Sequence, residues 1–171
     1  DISVASSLIQ SEFDSTVLDS TGAVLGGVRD GNRLPSTPKF NIAMTATYSF
    51  PLEWASNDAE GYVSATFQHR SSVFTQPSDQ EAGAGTFVSG LPFGGAPGTD
   101  ATVLDLELDS YQNLNLSAGI IFENWEIAAY INNVTDENAN LSFDRERGGR
   151  ARLGFRTNQP RTFGMTVRAS F

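Results

Sequence analysis

The chain has no cysteine, so it carries neither a disulfide framework nor thiol chemistry. It has a single histidine, His69, and so no second imidazole to complete a histidine-based metal site. No stretch approaches the ~18 consecutive apolar residues that a membrane-crossing helix needs. Cations are scarce: 11 Lys and Arg stand against 20 Asp and Glu, for a net charge of -9. That balance argues against nucleic acid as a partner, because binding phosphates takes Lys and Arg. Charge of either sign is thin, at 18 % of the 171 residues against about 25 % in an ordinary soluble domain. The apolar fraction, 39 %, is also low for a globular core.

Ser, Thr, Asn and Gly fill the gap, together with twelve Phe. Disordered chains are poor in aromatic and β-branched residues, so disorder is excluded. The composition is too polar for a helical membrane protein and too sparsely charged for a cytosolic one. It suits a β-structure with one apolar face and one polar, uncharged face. The chain starts at Asp1 without a signal peptide, so the expectation is a leader already removed or a chain cut from something longer.

The C-terminus shows the pattern most clearly. Phe163, Met165, Val167, Ala169 and Phe171 alternate with Gly164, Thr166, Arg168 and Ser170. Period-two alternation marks a strand with one apolar face, and its length matches the ~9–11 residues of a tilted membrane-spanning strand. The same alternation runs from Phe40 to Phe50, from Leu114 to Phe122 (with Ile121 breaking the polar set) and from Trp125 to Asn132. Weaker strands are predicted over Gly61 to Phe74 and Ile2 to Phe13. The expected fold class is therefore all-β, with about six antiparallel up-and-down strands and no helix.

Connection lengths alternate. Long segments (about Asp14 to Pro38, Thr75 to Asp109 and Asn133 to Arg161) are separated by short ones (Pro51 to Glu60 and Glu123-Asn124). Long extracellular loops and short periplasmic turns are the habit of outer-membrane barrels. Phe50 and Trp54 flank one short turn, Phe122 and Trp125 the other, and Phe171 falls at the same level, as in an interfacial aromatic girdle.

Three segments then carry a family resemblance. Gly31-Asn-Arg-Leu-Pro-Ser-Thr-Pro-Lys-Phe40, followed at once by an alternating strand, resembles the opening of a late barrel strand in TonB-dependent receptors. Trp125-Glu-Ile-Ala-Ala-Tyr-Ile-Asn-Asn-Val-Thr-Asp-Glu137 resembles that family's penultimate strand, with its Asn-Asn-x-x-Asp-Glu ending. Gln159-Pro-Arg-Thr-Phe-Gly164 and the alternation to Phe171 are similar to its final strand. The resemblance implies residues 1–171 as the C-terminal part of a transmembrane barrel in the bacterial outer membrane. The whole would import a scarce nutrient such as a ferric siderophore, cobalamin or an oligosaccharide. Its implied partners are outer-membrane lipid, the TonB complex (through an N-terminal plug this chain lacks) and the barrel-assembly machinery, with Phe171 as assembly signal. Plugged transporters have roughly 22 strands and the smallest common barrels about eight, so six strands are expected to be part of a larger wall.

Candidate sites follow from the same pattern. Arg70 and Arg168 stand on polar strand faces and are expected to face a lumen. Arg145, Arg147, Arg150 and Arg152, with Arg156 and Arg161, crowd the last long loop. A guanidinium fork suits anionic headgroups or an anionic ligand, and the alternative is charge balance with Asp144, Glu146 and other acidic loops. His69 shares the face of Phe67 and Val63 and reads as an interfacial residue. Asp100, Asp105, Glu107 and Asp109 lack EF-hand spacing and read as a solvated loop face rather than a Ca²⁺ site. No G-x-S-x-G elbow accompanies His69, so no enzyme and no cofactor is expected. The glycosylation patterns at Asn115, Asn133 and Asn140 read as chance matches. Two other architectures stay open: a small complete outer-membrane barrel and a soluble carbohydrate-binding β-sandwich. The first needs two further strands, for which Thr86 to Ser89 and Arg152 to Phe155 are the candidates.

Overall fold

The computed structural model describes residues 1–53, 59–88, 101–145 and 153–170. Six strands make one antiparallel sheet: β1 (Ile2–Leu8), β2 (Phe40–Pro51), β3 (Glu60–Arg70), β8 (Tyr111–Phe122), β9 (Trp125–Asn132) and β12 (Thr162–Ala169). Their order in the sheet is their order in the chain, as in an up-and-down meander. The remaining strands are short and lie in the long connections: β4 (Val73–Phe74) with β7 (Glu107–Leu108), β5 (Thr86–Val88) with β6 (Ala101–Val103), and β10 (Asn140–Arg145) with β11 (Leu153–Thr157). A 3-10 turn at Pro77–Gln80 is the one helical element among the described residues.

The all-β expectation is met, and the sheet is open rather than closed into a barrel. Some strand ends differ from the sequence reading. The first strand stops at Leu8, because the next backbone bonds run from Ile9 to Lys39 and from Phe13 to Asn32 in a hairpin-like extension of the β1–β2 connection. The third strand stops at Arg70, and Val73–Phe74 leaves the sheet to pair with Glu107–Leu108. The segments beginning at Thr86 and Leu153 do form strands, but each pairs inside its own loop ribbon and adds nothing to the main sheet. Pieces this short carry too few residues to show a period.

The register fixes what each face presents. Tyr48, Val63, Ala118, Ala129 and Met165 lie in one cross-strand row, and Ser49, Tyr62, Gly119, Ala128 and Thr166 in the next. Successive rows point to opposite faces, so one face is apolar and the other rich in Ser, Thr, Asn and Tyr. The apolar face is bare, with Ile2, Leu8 and Phe163 78 %, 84 % and 82 % exposed, and the polar face is open too, with Thr45, Ser49 and Gln68 exposed. None of the buried apolar residues among the described ones belongs to the six strands. They sit in the loops, where Val73, Leu106, Leu108 and Phe143 form a dry cluster flanked by Ala84, Phe87, Leu104 and Phe155.

Antiparallel alternation puts all three long connections at one end of the sheet and both short turns at the other. The tight turn carries Glu123 at φ 47, and Phe122 and Trp125 pair across it. Aromatic rings cover three glycines on neighbouring strands. A Cβ on Gly61 would lie 2.6 Å from the Phe50 ring, one on Gly119 2.7 Å from the Tyr62 ring, and one on Gly164 2.5 Å from the Tyr130 hydroxyl. Each ring therefore lies flat across a bare backbone, a packing that pins register because a slip would set it against a side chain.

Candidate functional site

The long loops hold one another through specific polar contacts. Arg29 donates Nε to Glu81 Oε1 (3.0 Å) and Nη2 to Glu81 Oε2 (2.6 Å), the side-on bidentate grip of a guanidinium on a carboxylate. Asn32 adds a bond to the same carboxylate at 2.9 Å. These donors, Arg29 first, hold the Glu81 carboxyl below its ordinary range. Gly27, at φ 78, lies so close to the Pro77–Gln80 turn that a Cβ there would collide with the Ser78 backbone. Arg33 bonds Glu107 at 3.1 Å and stacks over the Phe74 ring. The first and second long loops are thereby joined above β1 to β3.

The third loop is tied at its base by the segments Trp125–Glu137 and Gln159–Gly164. Asn133, at φ 51 and 1 % exposed, donates Nδ2 to the carbonyls of Glu137 (2.9 Å) and Gln159 (3.0 Å) and accepts from the Glu137 N–H on Oδ1 (2.9 Å). Its own N–H goes to Asn115 Oδ1 at 2.9 Å. Asp136, at φ 57, accepts the Arg161 N–H at 3.0 Å and pairs with that guanidinium. The Asn-Asn-x-x-Asp-Glu ending and the Gln-Pro-Arg opening thus form one polar knot, in which asparagine and aspartate suit the left-handed backbone positions.

On the polar sheet face, Thr47 and Ser64 share a hydroxyl hydrogen bond at 2.9 Å. Near the short turns, Glu126 accepts from Tyr62 (2.9 Å) and from Arg168 (2.8 Å). Arg168 therefore stands on the polar face, paired with Glu126. Arg70 stands on that face too, at the loop end, with its guanidinium carbon 4.9 Å from the Tyr111 ring centre. Its Nε and Nη2 are buried and meet no acceptor among the described residues, and Asn113 Oδ1 is likewise buried without a donor. A hollow of about 370 Å³ opens beside Arg70, lined also by Ala5, Ser7, Asn41, Gln68 and Tyr111.

Other candidates are placed less centrally. Arg145 closes β10, while Arg147, Arg150 and Arg152 lie outside the described residues, as does Phe171. Within that basic cluster Arg156 pairs with Asp144 at 2.7 Å and Arg161 with Asp136, so these two serve local charge balance. His69 shares the face of Phe67, tilted against the Phe40 ring with centroids 5.9 Å apart. Glu107 bonds Arg33 and Ser72, Asp105 accepts the Glu107 N–H, and Asp100 is outside the described residues. No group of three metal-ligating side chains converges among the described residues. Sequence reasoning missed the Arg29–Glu81 clasp, the role of Asn133 and the Tyr62–Glu126 bond, since each joins residues distant in sequence or hidden in loop geometry. No family model, no curated protein and no solved structure matches the chain.

Proposed function

We propose that this sheet is part of the wall of a bacterial outer-membrane barrel, and that the whole protein is a TonB-dependent transporter of a scarce nutrient. The observation that carries the reading is that the apolar face of the sheet lies uncovered. Burying a large apolar side chain is worth about 1.5–3 kcal/mol, so a row of bare Ile, Leu, Phe, Met and Val along six strands calls for an apolar surrounding. A bilayer supplies one, and a water-filled lumen suits the hydroxyl and amide side chains opposite. The grouping of long loops at one end and tight turns with Phe122 and Trp125 at the other adds to this, as an outer surface and a periplasmic aromatic rim. The resemblance of the last two strands to those of TonB-dependent receptors narrows the barrel to that family.

In this reading the two open edges, β1 and β12, continue into further strands, because unpaired edge groups in lipid cost several kcal/mol each. The chain's own task is structural: it walls the lumen and displays the knotted loops to the outside. Coupling to the TonB complex belongs to a plug, and recognition by the assembly machinery to the last strand ending at Phe171.

The test is made on the whole protein in its source cells. It should fractionate with the outer membrane and migrate faster in gels before boiling than after. Deleting its gene should abolish energy-dependent uptake of one of three probes, a ferric siderophore, cobalamin or maltohexaose, and a protonophore should abolish the same uptake in wild-type cells. Recovery in the soluble fraction would overturn the barrel, and uptake indifferent to the protonophore would overturn TonB coupling.

A further inference from the structure

The six strands do not end level. At the loop end, the pair Ser7 and Asn41 stands one step from the end of its ladder and lies in the row of Arg70. The pair Ile131 and Phe163 stands one step from the end of the β9–β12 ladder, but lies in the row of Leu116 and Ala65. From Arg70 to Ala65 is five residues, so the loop end of the sheet retreats by that much from β2 to β12. The turn end moves in the same sense, from Pro51 and Glu60 to Phe122 and Trp125, one row beyond the row of Glu60 and Ile121. The sheet is thus slanted, by about one residue per strand. With ~3.3 Å per residue along a strand and ~4.8 Å between strands, that slant is a tilt of about 35–40°, the tilt of strands in a closed barrel. The apolar face of these strands also carries no ionised side chain: Glu60, Arg70, Glu126 and Arg168 all fall on the polar face.

From the slant and the uncharged face we infer that the bilayer meets this sheet along lines that cross its ladder rows at the strand tilt. Corrected for the slant, Phe40, His69 and Phe163 come to one level, the outer headgroup boundary. Ile2, Tyr48 and Trp125 come to another, the inner boundary, and Ala65 lies midway. Ile2 and Phe163 share a single ladder row through Ala65, yet they stand at opposite surfaces of the membrane. The two levels are about 20 Å apart along the membrane normal, close to the apolar band of roughly 25 Å that a barrel presents to lipid. The rings found at them suit a boundary, where an apolar body meets lipid and a polar tip meets headgroups. Tyr48 and Trp125 supply these at the inner level. At the outer level the lone histidine does, its ring 5.9 Å from that of Phe40. The slant follows from the register alone, and the inference rests on the barrel reading only for the bilayer itself.

The experiment measures the depth of three residues of that one row. The whole protein, with a single cysteine at Ile2→Cys, Ala65→Cys or Phe163→Cys, is spin-labelled and reconstituted in vesicles of dimyristoylphosphatidylcholine. This chain brings no competing thiol. Power saturation against oxygen and a water-soluble nickel complex then gives the depth of each label. The label at Ala65 should lie roughly 6–9 Å deeper than those at Ile2 and Phe163, the rise of two or three tilted strand spacings. If a variant of this row fails to fold, the next apolar row serves, with Ala129→Cys expected deep and Tyr48→Cys shallow. Equal depth along a row, or an end residue deeper than the middle one, would overturn this inference and leave the barrel reading standing. Labels that all meet the nickel complex as freely as in water would overturn the barrel reading itself.

Discussion

Two regions of one chain treat apolar side chains in opposite ways. In the loops, Leu108 and Phe143 are each 2 % exposed and pack with Val73 and Leu106 into a dry cluster, as in any water-soluble domain. In the sheet, the alternating apolar residues line one open face, and the hydroxyls, amides and the Tyr62–Glu126–Arg168 chain of hydrogen bonds occupy the other. The same residue types are used in both places. On the proposed reading, what differs is the solvent each region is built for: the loops bury their oil against water, and the sheet offers its oil to an apolar surrounding. A bare apolar face is a defect in the first setting and a contact surface in the second.

The largest test of that contrast is Phe143→Ala, which removes a ring in contact with Phe87 and Phe155. A truncation of this kind costs about 3–5 kcal/mol. Hydrogen exchange should accelerate in β4, β7 and β10 while amides of the six sheet strands stay protected. Acceleration throughout the sheet would mean that the two regions fold as one unit and the contrast fails. Next in size is a charge placed on either side of β12. Met165→Arg, on the bare face opposite Ala129, should lower folding stability in lipid vesicles by about 2–4 kcal/mol, whereas Thr166→Arg on the polar face should cost under about 1 kcal/mol. Equal costs would break the assignment of faces.

The smallest effect concerns the loop clasp. Glu81 has its folded-state pKa lowered by Arg29 and then by Asn32. A carboxyl lowered in this way contributes its stabilisation above the ordinary glutamate value and loses it as pH falls through the lowered folded value. Amides of residues 27–34 and 77–81 should therefore exchange faster, relative to their intrinsic rates, on acidification through and below that range. Glu81→Gln should remove this dependence and leave exchange in the six sheet strands, which do not rely on the clasp, unchanged.

The sheet strands were legible in the sequence because sustained period-two alternation is a strong signal, and Trp125 to Asn132 and Phe163 to Ala169 show it plainly, whereas the seven-residue β1 shows it weakly and its end was misplaced. The connection lengths, read with the antiparallel rule, also gave the loop end and the turn end. The loop ribbons were not legible. Strands such as Val73–Phe74 and Glu107–Leu108 have two residues each, and their pairing is decided by a cluster assembled from separate loops. Of the site, the polar-face placement of Arg70 and Arg168 followed from alternation alone. Their different circumstances did not: Arg168 meets Glu126 because Arg168 and Glu126 are register partners, and Arg70 meets Tyr111 for the same reason.

The polar knot at Asn133 has a consequence for how the last hairpin assembles. The ladder between β9 and β12 starts at Asn132 and Thr162, directly beside the knot, and runs from there to Trp125 and Ala169. Whatever lies between Glu137 and Gln159, the two strands are brought together at this fixed point, so the entropy of closing the long loop is met once and the ladder can zip downward in a single frame. A frame shifted by one residue would turn Arg168 onto the oily side and Val167 onto the wet side. The knot therefore lets the loop between β10 and β11 vary in length without moving the strand that follows, while Phe143 and Phe155 stay bound to the loop cluster.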